Sequence, residues 1–360
     1  MTAARLVARC VHGLEATVAA EILDRGLGSV TRLGHREVHF RTSHTDPRVL
    51  TAATVDDVFL LAAQGPDIGP AASGLSVLRD LVHAADIGAL LRLRERCGGP
   101  GPLTGVEVSA SFLGRRSFNR YDAEDTVGLA LARRLGTDYH SRRDGVAPPP
   151  HYGGWRLTLN GTHATLMLRV AARPLHRRPY KRRSIAGTLH PPVAAAMVRT
   201  AEIQPGHSVL DPCCGAGTLL LEAAGQEPEA RLRGYDLSQE AVKAARENAT
   251  GLPVTLGQAD AGDLPVEDAS VDRVLSNPPW GGQVSAGGLL AGSRSRWWKE
   301  LRRVLTPGGI AVLLVADPGD ITEGIRTGLT PSYVQRVRIS GAESFIVRFT
   351  VPRRPRHRRA

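Results

Sequence analysis

Two short motifs in the second half of the chain each close an apolar run. Asp-Pro-Cys-Cys-Gly-Ala-Gly-Thr at 211–218 follows Ser208, Val209 and Leu210, and Asn-Pro-Pro-Trp at 277–280 follows the run 271–276. Apolar runs that stop at Gly- or Pro-rich turns read as strands. From Pro191 onward strand and helix signals alternate, the pattern of a doubly wound parallel sheet, and such sheets bind ligands at the carboxyl ends of their strands. The two motifs are therefore expected to face one crevice, the first holding a nucleotide-like cofactor and the second a flat polar substrate.

The spacing predicts a helix from Pro191 to about Thr200, opened by two prolines that the first turn tolerates. Strands follow at 209–210, 232–235, 254–256, 271–276 and 310–316, with helices at 218–224, 238–249 and 297–305. Segments 333–339 and 344–351 predict a closing antiparallel hairpin. The first half mixes its signals: strand, helix, strand over 1–60, an ambiguous block at 75–91, a strand at 106–112, and a helix at 122–135 with Asp122 as its cap. Runs 155–160 and 163–170 flank Asn160-Gly161, a strong hairpin turn.

With 360 residues the chain suits two or three domains at about 150 residues each. The net charge of +11 is concentrated in two places. Arg173, Arg177, Arg178, Lys181, Arg182 and Arg183 form one acid-free run, and Arg353, Arg354, Arg356, Arg358 and Arg359 form a tail. These eleven residues equal the whole excess, so the rest of the chain is balanced. Concentrated charge of this kind marks a surface for a phosphate backbone, although a solvated linker and a free tail are the plain alternative. Cys10, Cys97, Cys213 and Cys214 have no Cys-x-x-Cys spacing, which argues against zinc and against a disulfide framework. There is no signal peptide and no apolar stretch of the roughly 18 residues that span a bilayer, so a cytoplasmic protein is expected.

Gly215 and Gly217 let the backbone approach a ligand closely at the start of a helix with unpaired amides. The dinucleotide fingerprint requires a third glycine where Leu220 stands, and Asp211 would repel a pyrophosphate. A cofactor with positive charge fits better. S-adenosylmethionine (SAM) has a sulfonium, an amino group, a ribose and an adenine. Asp211 would lie near its methionine end, Asp236 would accept the ribose hydroxyls, and Asp260 would accept the adenine amino group. Each acid alone also reads as a cap or a loop charge; three at successive strand ends make the stronger pattern. The expected cofactor site is Asp211, Cys214, Gly215, Gly217, Thr218, Asp236, Leu237, Asp260, Ala261 and Asn277.

Asn277, Pro278, Pro279 and Trp280 form the expected catalytic clamp. The prolines stiffen the backbone so that the Asn277 side-chain oxygen and the Pro278 carbonyl point at one exocyclic amine, and Trp280 offers a stacking face for an extruded base. A tight turn with a core Trp is the alternative. An amine conjugated to a base is a poor nucleophile, and acceptors that hold its N–H groups favour the charge-developing transition state. Downstream, Arg294, Arg296, Trp297, Trp298 and Lys299 follow a Gly-rich stretch, 281–292, that reads as a flap, with core packing favoured for at least one Trp. His176 and His190 read as surface or packing residues.

In these motifs the chain resembles the THUMP-domain RNA methyltransferases that make N2-methylguanosine in tRNA. The resemblance includes the linker Arg-Pro-Leu-His-Arg-Arg-Pro-Tyr-Lys-Arg-Arg at 173–183 and the segment Ser-Ala-Ser-Phe-Leu-Gly-Arg-Arg-Ser-Phe at 109–118. Many members have Tyr or Phe where Trp280 stands. The resemblance implies a Rossmann-like α/β methyltransferase domain with a seven-stranded, mostly parallel sheet ending in an antiparallel hairpin. An α+β ferredoxin-like and THUMP region would precede it. The implied divisions are 1–65 (ferredoxin-like), 66–172 (THUMP-like), 173–185 (basic linker), 186–351 (methyltransferase) and 352–360 (basic tail). It further implies SAM as cofactor and a tRNA gripped near its acceptor stem by Arg115, Arg116, Arg173, Arg177, Arg178, Lys181, Arg182 and Arg183. The enzyme would be a monomer with no metal and no membrane contact, and a small activating protein partner stays open without being indicated. The residues themselves leave two rivals open: methylation of adenine N6 or cytosine N4 in RNA or DNA, and a tRNA-binding protein whose methyltransferase domain is vestigial.

Overall fold

In a computed structural model, which describes residues 3–279, 285–291 and 293–352, the chain divides into two units. One comprises Met1–Cys10 with Glu15–Leu175, the other Val11–Leu14 with His176–Ala360.

The first unit runs β1 (Ala4–Arg9), α1 (Glu15–Asp24), β2 (Ser29–Gly34), β3 (Glu37–Thr42), β4 (Asp57–Pro66), α2 (Leu78–Ala84), α3 (Ile87–Arg96), β5 (Gly105–Phe112), α4 (Arg120–Leu135), β6 (Asp138–His140), β7 (Tyr152–Leu159) and β8 (His163–Arg169). Its eight strands form one sheet in the order β2-β3-β1-β4-β8-β7-β5-β6. The expected division at 65/66 falls at the end of β4, and strands from both sides of it share this sheet. Along β5 the alternating residues Val106, Val108 and Ala110 are buried, and so is the intervening Glu107, paired with Arg169 and Arg142, so the first half of the strand is covered on both faces. Helix α4 begins one turn before its expected cap: Asn119 accepts from the amides of Tyr121 and Asp122, and the Asp122 carboxylate accepts from the Asn119 amide. Asp122 is thus the third residue of a capping box rather than the cap. The Asn160-Gly161 hairpin joins β7 to β8 as expected, with Gly161 at φ 87° and the Asn160 side chain accepting from Thr162 and His163.

The second unit runs α5 (Pro191–Ala201), β9 (Ser208–Asp211), α6 (Thr218–Gln226), β10 (Arg231–Asp236), α7 (Gln239–Asn248), β11 (Val254–Gln258), β12 (Val271–Ser276), α8 (Arg294–Val304), β13 (Leu305–Val315), α9 (Pro318–Arg326), β14 (Thr330–Ile339) and β15 (Ala342–Thr350). The seven-stranded sheet has the order β11-β10-β9-β12-β13-β15-β14. Pairings from β11 through β13 are parallel, and β15 runs antiparallel to both β13 and β14. The chain moves outward from β9 to β11, then returns to β12 on the other side of β9. That reversal puts a topological switch point between β9 and β12, where ligands enter open α/β sheets.

Trp297 and Trp298 are fully buried, edge to face at 5.0 Å, and Trp298 meets Phe349 at 5.4 Å. Both indoles are core, so neither offers a face to RNA. The short segment 11–14 joins the edge strand β14: the Arg338 amide donates to the His12 carbonyl (2.9 Å), and the Gln335 amide group donates to the Gly13 carbonyl (2.6 Å). Gly13, at φ 96°, approaches so closely that a Cβ would sit 2.1 Å from the Arg336 carbonyl oxygen. Among the described residues no helix is long and apolar enough to cross a membrane.

Candidate functional site

The expected cofactor motif forms the turn between β9 and α6. Gly215 and Gly217 take φ of 53° and 83°, backbone that side chains rarely adopt. A Cβ on Gly215 would meet nothing within 4 Å, so this side of the turn is open. Gly217 occupies the N-cap of α6, where the first-turn amides face outward without a side-chain acceptor and provide donors for a ligand. The turn is tightened by hydrogen bonds from Gly217 to the Cys214 carbonyl (2.7 Å) and from Cys214 to the Tyr235 carbonyl (2.8 Å).

The three acids occupy the strand ends in the expected order. Asp211 closes β9, is 1% exposed, and accepts from the Cys213 amide at 3.1 Å. Burial raises its pKa to about 8; the Asp236 carboxylate pushes the same way and the Cys213 amide pulls back. Asp236 closes β10 and accepts from the Gly215 amide (2.9 Å) and the Ser238 amide (2.9 Å). It therefore shapes the glycine turn as well as facing the site. Asp260, beyond β11, accepts from the amides of Gly262 and Leu289, both at 2.8 Å, and fastens the turn at 287–290. Leu237 is 44% exposed beside that turn, an apolar shelf suited to a flat heterocycle. Cys214, Thr218 and Ala261 turn their side chains inward, each about 5% exposed, so only their backbones can touch a ligand.

Burial, reinforced by Asp211 and Asp236, holds the Cys213 and Cys214 thiols well above their ordinary pKa. Both stay protonated, so this pair supplies no thiolate nucleophile.

Asn277 follows β12 across the switch point. Its Nδ2 donates to the Gly187 carbonyl at 3.4 Å, which turns Oδ1 the other way, an acceptor with no hydrogen-bond donor on it among the described residues. Gly187 sits in a turn closed by Thr188, whose hydroxyl accepts from the Ile185 amide (2.8 Å) and donates to the Ile185 carbonyl (2.6 Å). Pro278 is buried and Pro279 half-buried. Trp280 lies outside the described residues, as do Arg353, Arg354, Arg356, Arg358 and Arg359 of the tail.

The expected RNA-binding cations separate into two groups. Arg115, Arg173, Arg177 and Arg182 are exposed, and Lys181 is half-buried. Arg116 is turned inward, its guanidinium paired with Asp67 at 2.6 Å with both side chains 4% exposed. Arg178 lies against Glu222 of α6 at 2.8 Å, and the Tyr180 hydroxyl donates to the same carboxylate at 2.6 Å. Arg183 pairs with Glu247 of α7 at 3.1 Å. The stretch from His176 is therefore docked on the second unit rather than free as a linker, and the charges of Arg116 and Arg178 are spent on buried acids. Asn248 also escaped the sequence reading. It binds the backbone of Arg182, Arg183 and Ala216, and no motif surrounds it. Among the described residues no group of three His, Cys, Asp or Glu is placed to hold a metal ion.

Comparison with known proteins extends this geometry. Residues 178–342 match the family described as an RMKL-like methyltransferase domain. A tRNA (guanine(6)-N2)-methyltransferase of Thermus thermophilus is 33% identical over 241 residues, covering 65% of this chain and 69% of that protein. The U6 snRNA (guanine-N(2))-methyltransferase THUMPD2 of Bos taurus is 33% identical over 200 residues, 52% of this chain and 39% of its own length. Among solved structures, TrmN from Thermus thermophilus superposes with a TM-score of 0.74 at 26% identity, over 96% of this chain and 99% of that one.

Proposed function

The chain belongs to the tRNA guanosine N2-methyltransferase family, and we propose that it methylates the exocyclic N2 amine of a guanine flipped out of tRNA, using SAM. The observation that carries this reading is the pairing at one switch point of an open glycine turn ringed by carboxylates with an asparagine whose side-chain oxygen is left as an acceptor. The site fits SAM. A cationic methionine end suits the buried Asp211, ribose hydroxyls suit Asp236, and adenine suits the apolar Leu237 beside Asp260. When bound, SAM supplies an electrophilic methyl group on its sulfonium.

The chain's own residues then do the rest. Asn277 Oδ1 and the Pro278 carbonyl accept from the two N–H groups of the amine, which orients its lone pair and favours the form in which nitrogen gains positive charge. The proton leaves to an acceptor of this clamp or to water after attack, and no thiolate takes part. Arg115, Arg173, Arg177, Lys181 and Arg182 hold tRNA phosphates. The four cysteines are free thiols, which suits a reducing compartment, and we assign the reaction to the cytoplasm.

Labelled SAM, purified protein and total tRNA from a strain lacking the gene test this reading, with the product nucleoside identified by mass. N2-methylguanosine is the expected product. Label in N6-methyladenine or N4-methylcytosine would move the reaction to another base, and SAM binding with no label in tRNA would remove tRNA as the substrate.

A further inference from the structure

Asn248, the last residue of α7, is 3% exposed. Its Oδ1 accepts from the amides of Arg182 (2.9 Å) and Arg183 (2.8 Å). Its Nδ2 donates to the carbonyls of Arg183 (2.9 Å) and Ala216 (3.0 Å). An asparagine amide has two donor hydrogens and two acceptor lone pairs, so all of its capacity is in use. The Oδ1 end grips the basic segment, and the Nδ2 end bridges that segment to Ala216, the residue between Gly215 and Gly217.

The same helix reinforces both ends. Glu247 pairs with the Arg183 guanidinium, and α7 is capped by Ser238, whose amide is held by the same Asp236 carboxylate that holds the Gly215 amide. Displacing the basic segment from Asn248 leaves two amides and a carbonyl unpaired beside a buried polar group. Displacing the glycine turn leaves the Ala216 carbonyl unpaired. Each end is therefore held in the position that the other end requires, while the exposed Arg182 side chain remains turned to solvent.

We propose that Asn248 is a positioning residue that joins the basic segment to the cofactor turn, so that tRNA engagement by that segment and SAM binding at the turn strengthen each other. This rests on the reading of the second unit as a tRNA methyltransferase. Binding linkage makes the effect reciprocal: tRNA tightens SAM by the factor by which SAM tightens tRNA.

The test uses the full chain, calorimetry with SAM, and an unmodified tRNA transcript. The coupling factor is the SAM Kd without tRNA divided by the Kd with tRNA. Wild type is expected to give about fivefold or more. Asn248→Asp keeps the acceptors for the Arg182 and Arg183 amides but places an oxygen against the carbonyls of both Arg183 and Ala216. Its coupling factor falls to about 1, whatever the loss of the bond to the Arg183 carbonyl does to its tRNA affinity without SAM. A merely structural role would weaken both affinities together and leave the ratio intact. Should Asn248→Asp fail to fold, hydrogen exchange on wild type decides: SAM alone must slow exchange at the Arg182 and Arg183 amides. A wild-type factor of 1, an unchanged factor in Asn248→Asp, or amides indifferent to SAM would overturn the proposal. Failure to bind SAM or to methylate tRNA at all would sink the functional reading along with it, whereas methylation of tRNA without coupling would sink this inference alone.

Discussion

In the first unit the carboxylates of Asp57, Asp67 and Glu107 lie against guanidinium groups, whereas the strand-end carboxylates of the second unit lie against backbone amides. Asp57 and Glu107 share Arg169 at 2.6 and 3.2 Å, and Asp67 takes Arg116. Asp211, Asp236 and Asp260 are met by the N–H groups of Cys213, Gly215, Ser238, Gly262 and Leu289. An arginine neutralises a carboxylate and consumes its lone pairs in a fork; an amide orients it and leaves its charge available. The first arrangement closes a structure, and the second leaves carboxyl groups, the buried Asp211 among them, that a cationic ligand can draw into the ionised form. Even with Arg169 beside it, Asp57 has a pKa pushed up to about 6 by burial, so the pair is costly to break.

The largest effect that would break this contrast is on stability. Arg169→Met leaves Asp57 buried without its guanidinium and Glu107 with Arg142 alone, and is expected to cost about 3–5 kcal/mol in urea unfolding, without changing SAM affinity in the folded fraction. A loss of SAM binding in that fraction would mean that the two kinds of carboxylate are not separate in purpose. Next comes Asn277→Ala, expected to lower kcat by about 10²–10³-fold with tRNA affinity unchanged by filter binding; parallel loss of tRNA affinity would make the clamp a docking element.

A smaller effect appears in pH dependence. The folded pKa of Asp211, about 8, lies above its ordinary 3.8. Between those values the folded SAM-free protein keeps a proton that the unfolded chain has lost, so its stability declines as pH rises from about 4 to about 8. A cationic ligand favours the ionised carboxyl, so SAM binding releases this proton and tightens about fivefold from pH 7 to pH 8. Asp211→Asn should flatten both profiles, and calorimetry in buffers of different ionisation heat counts the proton. The smallest effect separates two neighbours: Arg115→Ala should lower the slope of log K for tRNA against log salt by about 0.7–0.9 with no change in Tm, while Arg116→Ala should lower Tm and leave that slope alone. Reversed results would exchange their assignments.

The same contrast explains which parts of the molecule were legible in the sequence. Strands β9, β10 and β12 end in residues whose chemistry is local: an acid or an asparagine, a turn former, and a helix start. Their pattern survives in one dimension, and the parallel strands and the acids at their ends followed from it, while the order of the strands in the sheet did not. Arg116 and Arg178 looked identical to Arg115 and Arg177 because the acids that neutralise them lie 49 and 44 positions away. Asn248 has partners 32 to 66 positions away, and nothing beside it in sequence marks its role. Strand β2 alternates between exposed and half-buried positions, too weak an apolar signal to mark it. Helix α9 contains Gly319 and Gly324 behind Pro318, which lowers its propensity below recognition.

The addition of residues 11–14 to the edge of β14 bears on how the molecule is made. An unpaired edge strand is a template for aggregation, and here its cover is synthesised more than 300 residues before the strand itself, with His12 opposite Arg338. The sheet of the second unit emerges after the first unit, yet its outer strand finds its cover already made, in the segment just before α1. The second unit is therefore not a contiguous stretch, and a single cut after Leu175 would release it with a bare β14. Completion of this sheet depends on a closure of high sequence separation, the slow kind of folding event, and a truncated methyltransferase half should be aggregation-prone even though its cofactor turn and clamp are intact.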